Sequence, residues 1–125
     1  VIINISSDYG IISPNQNIYR KEGVAEEDQT IKPVSYSVVK HGIMGLTKYL
    51  ATYWGKKGVR VNTLCPASLQ NGQDPEFIEK LSALVPMGRM SRPDEYPATV
   101  LYMLSDASSY MTGATVVLDG GRTIW

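Results

Sequence analysis

Tyr36 and Lys40 lie four residues apart and are the two side chains in this sequence best suited to proton transfer. On a helix, residues at this spacing share one face, so the lysine ammonium would stand close to the phenol. A nearby positive charge stabilises a phenolate and allows a tyrosine to donate a proton near neutral pH. Such a pair could protonate the oxygen of a carbonyl group while a hydride reaches its carbon.

The hydroxyl group of Ser7 follows the first apolar segment of the chain and could hold the same oxygen in place. Residues 1–6 are rich in β-branched side chains and predict a buried strand. Ligands of open α/β sheets bind at the carboxyl ends of the strands, which is where Ser7 would lie. A Tyr-x-x-x-Lys pair alone is a weak signal, because any amphipathic helix can carry one on its surface.

The pair needs a helix, and apolar spacing predicts one over residues 35–54 with Gly55 as its C-terminal stop. Further strands are predicted at 59–64 and 114–118, and a short helix at 75–84. A last helix is expected to begin at a capping box over 91–94 and to run to about residue 105. Pro97 would cost that helix one hydrogen bond or bend it. The alternation of strands and helices predicts an α/β fold with a parallel sheet.

Residues 8–34 separate the first strand from the predicted helix and are rich in turn-forming and polar side chains. A connection of that length inside a compact domain is uncommon and is usually functional. We expect it to act as a lid or to contact a hydroxyl-rich substrate. Because the cost of closing a loop grows slowly with its length, we also expect shortening it to change stability little.

Composition excludes several classes of protein. The 125 residues allow one domain, and twelve basic residues balance twelve acidic ones, which argues against a nucleic-acid-binding surface. The sequence contains no apolar run of 18 residues, so no membrane-spanning helix is predicted. A single cysteine, Cys65, is expected to be a small buried side chain and suits a reducing cytoplasm. The single histidine, His41, has no partner at metal-binding spacing, so no metal site is predicted.

Seven short segments resemble, in order, the signatures of the short-chain dehydrogenase/reductase family. They occupy residues 3–7, 36–40, 59–62, 66–67, 86–89, 105–113 and 119–121. The resemblance covers almost the whole chain, and the joint occurrence of these segments is specific. It implies an α/β fold that is the C-terminal half of a doubly wound parallel-sheet, Rossmann-like domain.

The resemblance also implies roles for individual residues. Ser7 would orient the substrate oxygen, Tyr36 would be the acid/base, and Lys40 would also bind the nicotinamide ribose of NAD or NADP. The loop over residues 66–71 would lie against the nicotinamide. The loop residues assigned to the cofactor are Pro66, Ala67, Leu69 and Asn71.

The activity implied is carbonyl reduction or alcohol oxidation on a small polar, sugar-like molecule, in a cytoplasmic enzyme. Family members commonly form homodimers or homotetramers through the Tyr-Lys helix and the last helix and strand. Gly42 and Gly45 on the Tyr-Lys helix would permit close packing of such a partner. No nucleic acid or membrane is expected among the partners.

The sequence departs from the family pattern at several places. Relatives usually have Pro-Gly where this chain has Pro66-Ala67, and the added methyl group restricts φ. Tyr36 follows Ser7 by 29 positions, about twice the usual separation, which predicts an insertion within residues 8–34. The insertion and the segment 121–125 are similar to reductases of bacterial flagellin and surface-sugar modification.

The glycine-rich phosphate loop of the family does not occur in these residues, and Val1 opens directly inside an apolar run. A dinucleotide places its pyrophosphate on a helix N-terminus after a glycine turn. We therefore expect residues 1–125 to be a partial catalytic domain that lacks its N-terminal cofactor-binding half. Two alternatives stay open: an inactive, truncated remnant acting as an oligomerising or interaction module, and a sugar-nucleotide epimerase or dehydratase.

Overall fold

The computed structural model describes all residues from 1 to 125 and contains three strands and three α-helices. In chain order these are β1 (Ile2–Ile5), α1 (Val34–Trp54), β2 (Val61–Pro66), α2 (Pro75–Ser82), α3 (Pro97–Leu104) and β3 (Thr115–Leu118). The predicted elements therefore all occur, with boundaries that differ by a few residues. None of the helices combines the length and apolarity needed to cross a bilayer.

The three strands form one parallel sheet in the order β1-β2-β3. Ile5 pairs with Leu64, and Leu64 pairs with Val116 on the other side. The central strand is buried from Val61 to Cys65, as expected for a parallel strand covered on both faces. The α/β prediction is confirmed, and the parallel order brings the carboxyl ends of all three strands to one edge.

Helix α1 ends at Trp54 with Gly55 as its C-cap, as predicted, and begins one residue before the predicted start. That glycine keeps right-handed helical angles with φ of −54° and begins a short 3₁₀ turn, Gly55–Lys57. Gly58 then takes the left-handed conformation, with φ of 76°, that reverses the chain after a helix. The left-handed glycine of this turn is therefore Gly58, since sequence alone does not distinguish which of two nearby glycines adopts positive φ.

Helix α3 begins at Pro97, six residues after the predicted capping box at Ser91. The Ser91 hydroxyl is instead bonded to the Tyr96 hydroxyl and to the carbonyl of Ser68. Pro97 occupies the first turn, where its missing N–H costs no helical hydrogen bond. The expected bend is therefore absent, since the helix starts at the proline instead of passing through it.

The predicted insertion, residues 8–34, is built from three 3₁₀ turns at Asp8–Gly10, Gln16–Tyr19 and Glu26–Asp28. Ile18 in the second turn is only 5% exposed and forms an apolar cluster with Leu81 of α2 and Met90. The ammonium of Lys80 on α2 donates to the carbonyl of Arg20 at 2.7 Å. These contacts anchor the segment against α2 and argue against the expectation that it could be shortened at little cost.

Candidate active site

The carboxyl end of β1 presents two serines whose hydroxyl groups have different partners. Ser6 donates to the main-chain carbonyl of Lys40 at 2.7 Å, which ties the end of the strand to α1. Ser7 donates to Oδ1 of Asp8 at 2.7 Å and accepts the N–H of Tyr9 at 3.2 Å. Ser7 is nearly buried and caps the turn Asp8–Gly10, so its hydroxyl is held in one orientation.

Gly10 allows this turn to lie directly against α1. A Cβ atom at this position would meet the hydroxyl of Ser6 and would stand 2.8 Å from the carbonyl oxygen of Lys40. No side chain larger than hydrogen fits there without moving the main chain. The glycine therefore maintains the contact between the serine turn and the helix that carries Tyr36.

Tyr36 and Lys40 meet the same strand end from α1. The ammonium of Lys40 donates to the carbonyl of Ile5, the last residue of β1, at 3.1 Å. Its nitrogen lies 5.5 Å from the centre of the Tyr36 ring. The Tyr9 ring meets that of Tyr36 edge to face, with centroids 6.3 Å apart. Ser7, Tyr36 and Lys40 are thus brought together at one end of β1, as the sequence predicts.

A cavity of about 320 Å³ opens at this point. Of the residues predicted to form the site, those that line the cavity are Ser7, Tyr36, Pro66, Ala67 and Leu69. Lys40 does not line it. Asn71 is exposed and also lies outside the lining. Its main-chain N–H donates to the side chain of Gln73, and Gln73 does line the cavity. The roles assigned to these residues stay predictions.

The wall formed by residues 66–69 is fixed from two sides. The N–H of Ala67 donates to the carbonyl of Leu118 on β3 at 3.1 Å, and its carbonyl accepts the Tyr96 hydroxyl at 2.8 Å. Leu69 forms an isolated bridge with Ser91. No residue other than glycine has positive φ, so Ala67 replaces the usual glycine without backbone strain.

Asp8 is a buried acid beside Ser7 that the sequence analysis did not identify. Its side chain is 4% exposed, and burial raises its pKa, although the Ser7 hydroxyl, the Tyr9 N–H and the charge of Arg122 act in the opposite direction. Oδ2 of Asp8 and Nε of Arg122 are both buried without a hydrogen-bond partner. A Ser-Asp pair directly after a buried strand was the available sequence signal.

Lys32 is the second side chain that sequence analysis missed. It lines the cavity with Ser7 and Tyr36, and its ammonium nitrogen lies 3.8 Å from the centre of the Tyr36 ring. The residue is four positions before Tyr36 but precedes α1, so helical spacing could not place it.

The remaining reactive side chains have structural surroundings. Cys65 is fully buried on β2, and burial raises the pKa of its thiol, which confirms the expectation of a small packed side chain. His41 is exposed, and its Nδ1 lies 2.9 Å from the carbonyl of Ser37. No group of three or more His, Cys, Asp or Glu side chains is placed to hold a metal ion.

The site combines a serine at a strand end with a Tyr-Lys pair on the next helix. A family model that matches nearly the whole chain agrees with this arrangement. Residues 2–123 match a family model described as enoyl-(acyl carrier protein) reductase, a branch of the short-chain dehydrogenases. The chain belongs to the short-chain dehydrogenase/reductase family. The resemblance inferred from seven short segments is thereby confirmed. The fold of the chain is that of the Rossmann-like members of the family.

Curated relatives of this short-chain dehydrogenase/reductase chain include sugar-alcohol enzymes. Galactitol 2-dehydrogenase (L-tagatose-forming) of Cereibacter sphaeroides is 40% identical over 97 residues, which cover 73% of this chain and 38% of the relative. NADH-dependent L-xylulose reductase of Ambrosiozyma monospora is 41% identical over 101 residues, covering 74% and 37%. The chain therefore spans well under half the length of these relatives.

Among solved structures, a short-chain dehydrogenase of Leptospira borgpetersenii with bound NAD⁺ superposes with a TM-score of 0.86 at 34% identity. The match covers 98% of this short-chain dehydrogenase/reductase chain and 44% of the Leptospira protein. Neither the interaction-module interpretation nor the epimerase or dehydratase interpretation gains support from the relatives found.

Proposed function

We propose that these residues form the catalytic part of an NAD(P)-dependent oxidoreductase that interconverts a carbonyl group and an alcohol. The observation that carries the proposal is the convergence of Ser7, Tyr36 and Lys40 at the carboxyl end of β1, beside a cavity of about 320 Å³. Ligands of open α/β sheets bind at this edge. The relatives named above act by the same class of chemistry according to their names.

In this proposal Tyr36 transfers the proton. Its hydroxyl protonates the substrate oxygen in reduction and takes the proton back in oxidation. The Lys40 ammonium stabilises the phenolate that forms, and its hydrogen bond to the Ile5 carbonyl keeps it next to the Tyr36 ring. Ser7, held by Asp8 and the Tyr9 N–H, fixes the position of the substrate oxygen.

The nicotinamide ring would supply or accept the hydride when the cofactor is bound. The hydrogen-bond donors of this chain fit the ribose that carries the nicotinamide. An ammonium has three N–H donors and Lys40 commits one to Ile5, which leaves donors for ribose hydroxyls. The fixed wall at Pro66, Ala67 and Leu69 offers a surface for the ring. Asn71 would need to turn toward the cavity to reach the carboxamide. These residues do not include the glycine turn that holds a pyrophosphate.

For the substrate we propose a small polyol or sugar-like molecule. Support comes from the names of the relatives, which act on galactitol and L-xylulose, and from the polar groups of the cavity. Tyr19, Lys32 and Gln73 all reach this space from outside the sheet. The closer likeness to reductases of flagellin and surface-sugar modification stays a prediction from the sequence.

We further propose a homodimer or homotetramer in the cytoplasm. The outward face of α1 supports the first part, since Leu46, Tyr49 and Tyr53 are 49%, 63% and 61% exposed there. Added Cβ atoms at Gly42 and Gly45 would meet nothing within 4 Å, so another helix has room to approach. The lone reduced cysteine supports a cytoplasmic location.

The replacement Tyr36→Phe tests the proposed function. It removes the proton donor but keeps the ring that contacts Tyr9, so we expect kcat of the full-length protein to fall by about 10²–10⁴-fold. Cofactor affinity should change little, because Lys40 stays in place. Steady-state kinetics with galactitol and NAD⁺ or NADP⁺, together with cofactor titration, provide both readings.

Lys40→Met is the matched comparison. It should weaken cofactor binding as well as turnover, since it removes both the ammonium beside the phenol and the ribose donors. Near-normal turnover of Tyr36→Phe would show that the Tyr-Lys pair is a surface contact and would end the proposed function.

A further inference from the structure

Lys32 places a positive charge in the cavity that no acidic side chain neutralises. It forms none of the ion pairs in the molecule, all of which connect other basic residues to carboxylates within 4.0 Å. Asp8 is the only acidic residue among those that line the cavity. Its carboxylate is buried and accepts the Ser7 hydroxyl and the Tyr9 N–H. The charge of Lys32 is therefore available to a ligand.

The main chain of Lys32 is fixed more firmly than is usual for a residue in a long connection. The side-chain amide of Gln16 accepts the Lys32 N–H at 2.8 Å and donates to the Lys32 carbonyl at 3.2 Å. The next residue is Pro33, which restricts the conformations open to Lys32 and adjoins the first turn of α1. These constraints reduce the entropy that would be lost when Lys32 binds a group in the cavity.

The position of the ammonium relates it to the reacting atoms. It lies 3.8 Å from the centre of the Tyr36 ring, whose hydroxyl is the proposed proton donor. A substrate whose oxygen contacts Tyr36 and Ser7 would hold its neighbouring substituents beside Lys32. The relevant substituent is consequently one on a carbon near the reacting carbon.

Resting on the proposed function, we propose that Lys32 binds an anionic oxygen group, a carboxylate or a phosphate, on the substrate. The preferred substrates are then acids or phosphate esters derived from polyols rather than neutral polyols. A hydrogen bond from an ammonium to an anionic oxygen is stronger than one between neutral groups, which makes Lys32 a determinant of specificity. The segment 8–34 contributes to the site by holding this residue in place through Gln16.

Cation–π contact with Tyr36 is the structural role that Lys32 could have without any ligand. Such a role would stabilise the fold or the tyrosine, but it would not favour anionic ligands over neutral ones. The test must therefore compare ligands of different charge on the same carbon skeleton.

The experiment uses the full-length protein saturated with reduced cofactor, which cannot accept a hydride from these alcohol probes, so no turnover accompanies binding. Calorimetry gives the dissociation constants of three six-carbon probes, glucitol, gluconate and glucitol 6-phosphate, for the wild type and variants. We expect gluconate or glucitol 6-phosphate to bind more tightly than glucitol to the wild type. In Lys32→Met that preference should fall by about 10- to 100-fold, the loss expected for one hydrogen bond to a charged group.

Two further variants separate charge from other effects. Lys32→Arg keeps the charge and should retain most of the preference. Lys21→Met removes an exposed charge of the same segment that lies near Asp74 outside the cavity, and it should leave the preference unchanged. The tighter-binding anionic probe shows whether carboxylate or phosphate is the group recognised.

The absence of an anionic preference in the wild type, including failure of all three probes to bind, would overturn the proposal. A preference that survives in Lys32→Met would overturn it as well. Because binding is measured without turnover, the result is independent of the Tyr36→Phe kinetics that test the oxidoreductase function itself.

Discussion

At the scale of single residues, the site depends on which hydrogen-bond partners the reactive groups already have. The proton of Ser7 is directed to Asp8, so toward the cavity Ser7 offers a lone pair rather than a donor. A lone pair suits the hydroxyl of an alcohol, which carries a proton to donate. Protonation of Asp8 would reverse this hydrogen bond and leave the Ser7 proton for a carbonyl oxygen.

Asp8 predicts a pH dependence of stability. Burial raises its pKa above the ordinary value of 3.8, so the folded protein binds this proton more tightly than the unfolded chain. The resulting stability is fully present below 3.8 and is lost as the pH rises through the folded-state pKa. Asp8→Asn cannot ionise, so its melting temperature relative to wild type should increase as the pH rises across that range.

The measurement is a series of thermal unfolding curves of the full-length protein from acidic to neutral pH. Asp28→Asn, at an exposed position of the 3₁₀ turn Glu26–Asp28, is the control and should show no such trend. A constant difference between Asp8→Asn and wild type at every pH would contradict the prediction.

At the scale of elements, the long connection between β1 and α1 is a docked substructure. Ile18 contacts the cluster of Leu81 and Met90, and the rings of Tyr19 and Phe77 lie 5.5 Å apart. Gln29 also bonds three main-chain groups inside the segment, on Lys21 and Val24. These contacts connect the segment to α2 and provide the fixed position of Lys32.

Truncation of the anchor should therefore destabilise the protein. We expect Ile18→Ala to lower the free energy of unfolding of the full-length protein by about 2–5 kcal/mol, the usual cost of emptying a buried isoleucine position. Denaturant titration followed by circular dichroism gives the value. Glu27→Ala, exposed in the same segment, should change it by about 0.5 kcal/mol or less. Equal effects of the two replacements would show that the segment is only loosely attached.

At the scale of the whole molecule, the parallel sheet gathers the candidate site at one edge. The parallel order places Ser7, Pro66 and Asp119 at one edge of the sheet, and the cavity opens there. Asp119 closes the end of β3. Burial acts to raise its pKa, but hydrogen bonds from Thr123 and Gly121 outweigh burial and lower it. This turn brings Arg122 to its buried position, where its charge acts on Asp8.

The exposed apolar face of α1 leads to a prediction about assembly. Leu46→Glu would place a charge at the middle of the proposed interface, where an unpaired buried charge is costly. The dissociation constant of the oligomer should increase about tenfold or more. Sedimentation velocity over a concentration series measures it, with Glu22→Lys in the exposed part of residues 8–34 as the control. A monomeric wild type, or an unchanged dissociation constant in Leu46→Glu, would refute the interface.

Local rules were sufficient for a large part of this protein. Apolar spacing predicted α1 within one residue at its start, since amphipathic periodicity depends only on the helix itself. The runs of β-branched residues predicted all three strands, and their alternation with helices predicted the parallel sheet. Tyr36 and Lys40 were identifiable because their mutual position is set by one turn of helix.

Other features were decided by contacts between residues far apart in the chain. The carbonyl that Lys40 contacts belongs to Ile5, 35 positions earlier, and Lys32 is held by Gln16, 16 positions away. Helix α3 begins at Pro97 and not at the predicted Ser91, whose hydroxyl donates to the carbonyl of Ser68. Ile18 is buried because it packs against Leu81. The sequence by itself determined the elements and the Tyr-Lys pair. Only the tertiary structure added Asp8 and Lys32 to the site, because burial and hydrogen-bond partners are properties of the folded packing.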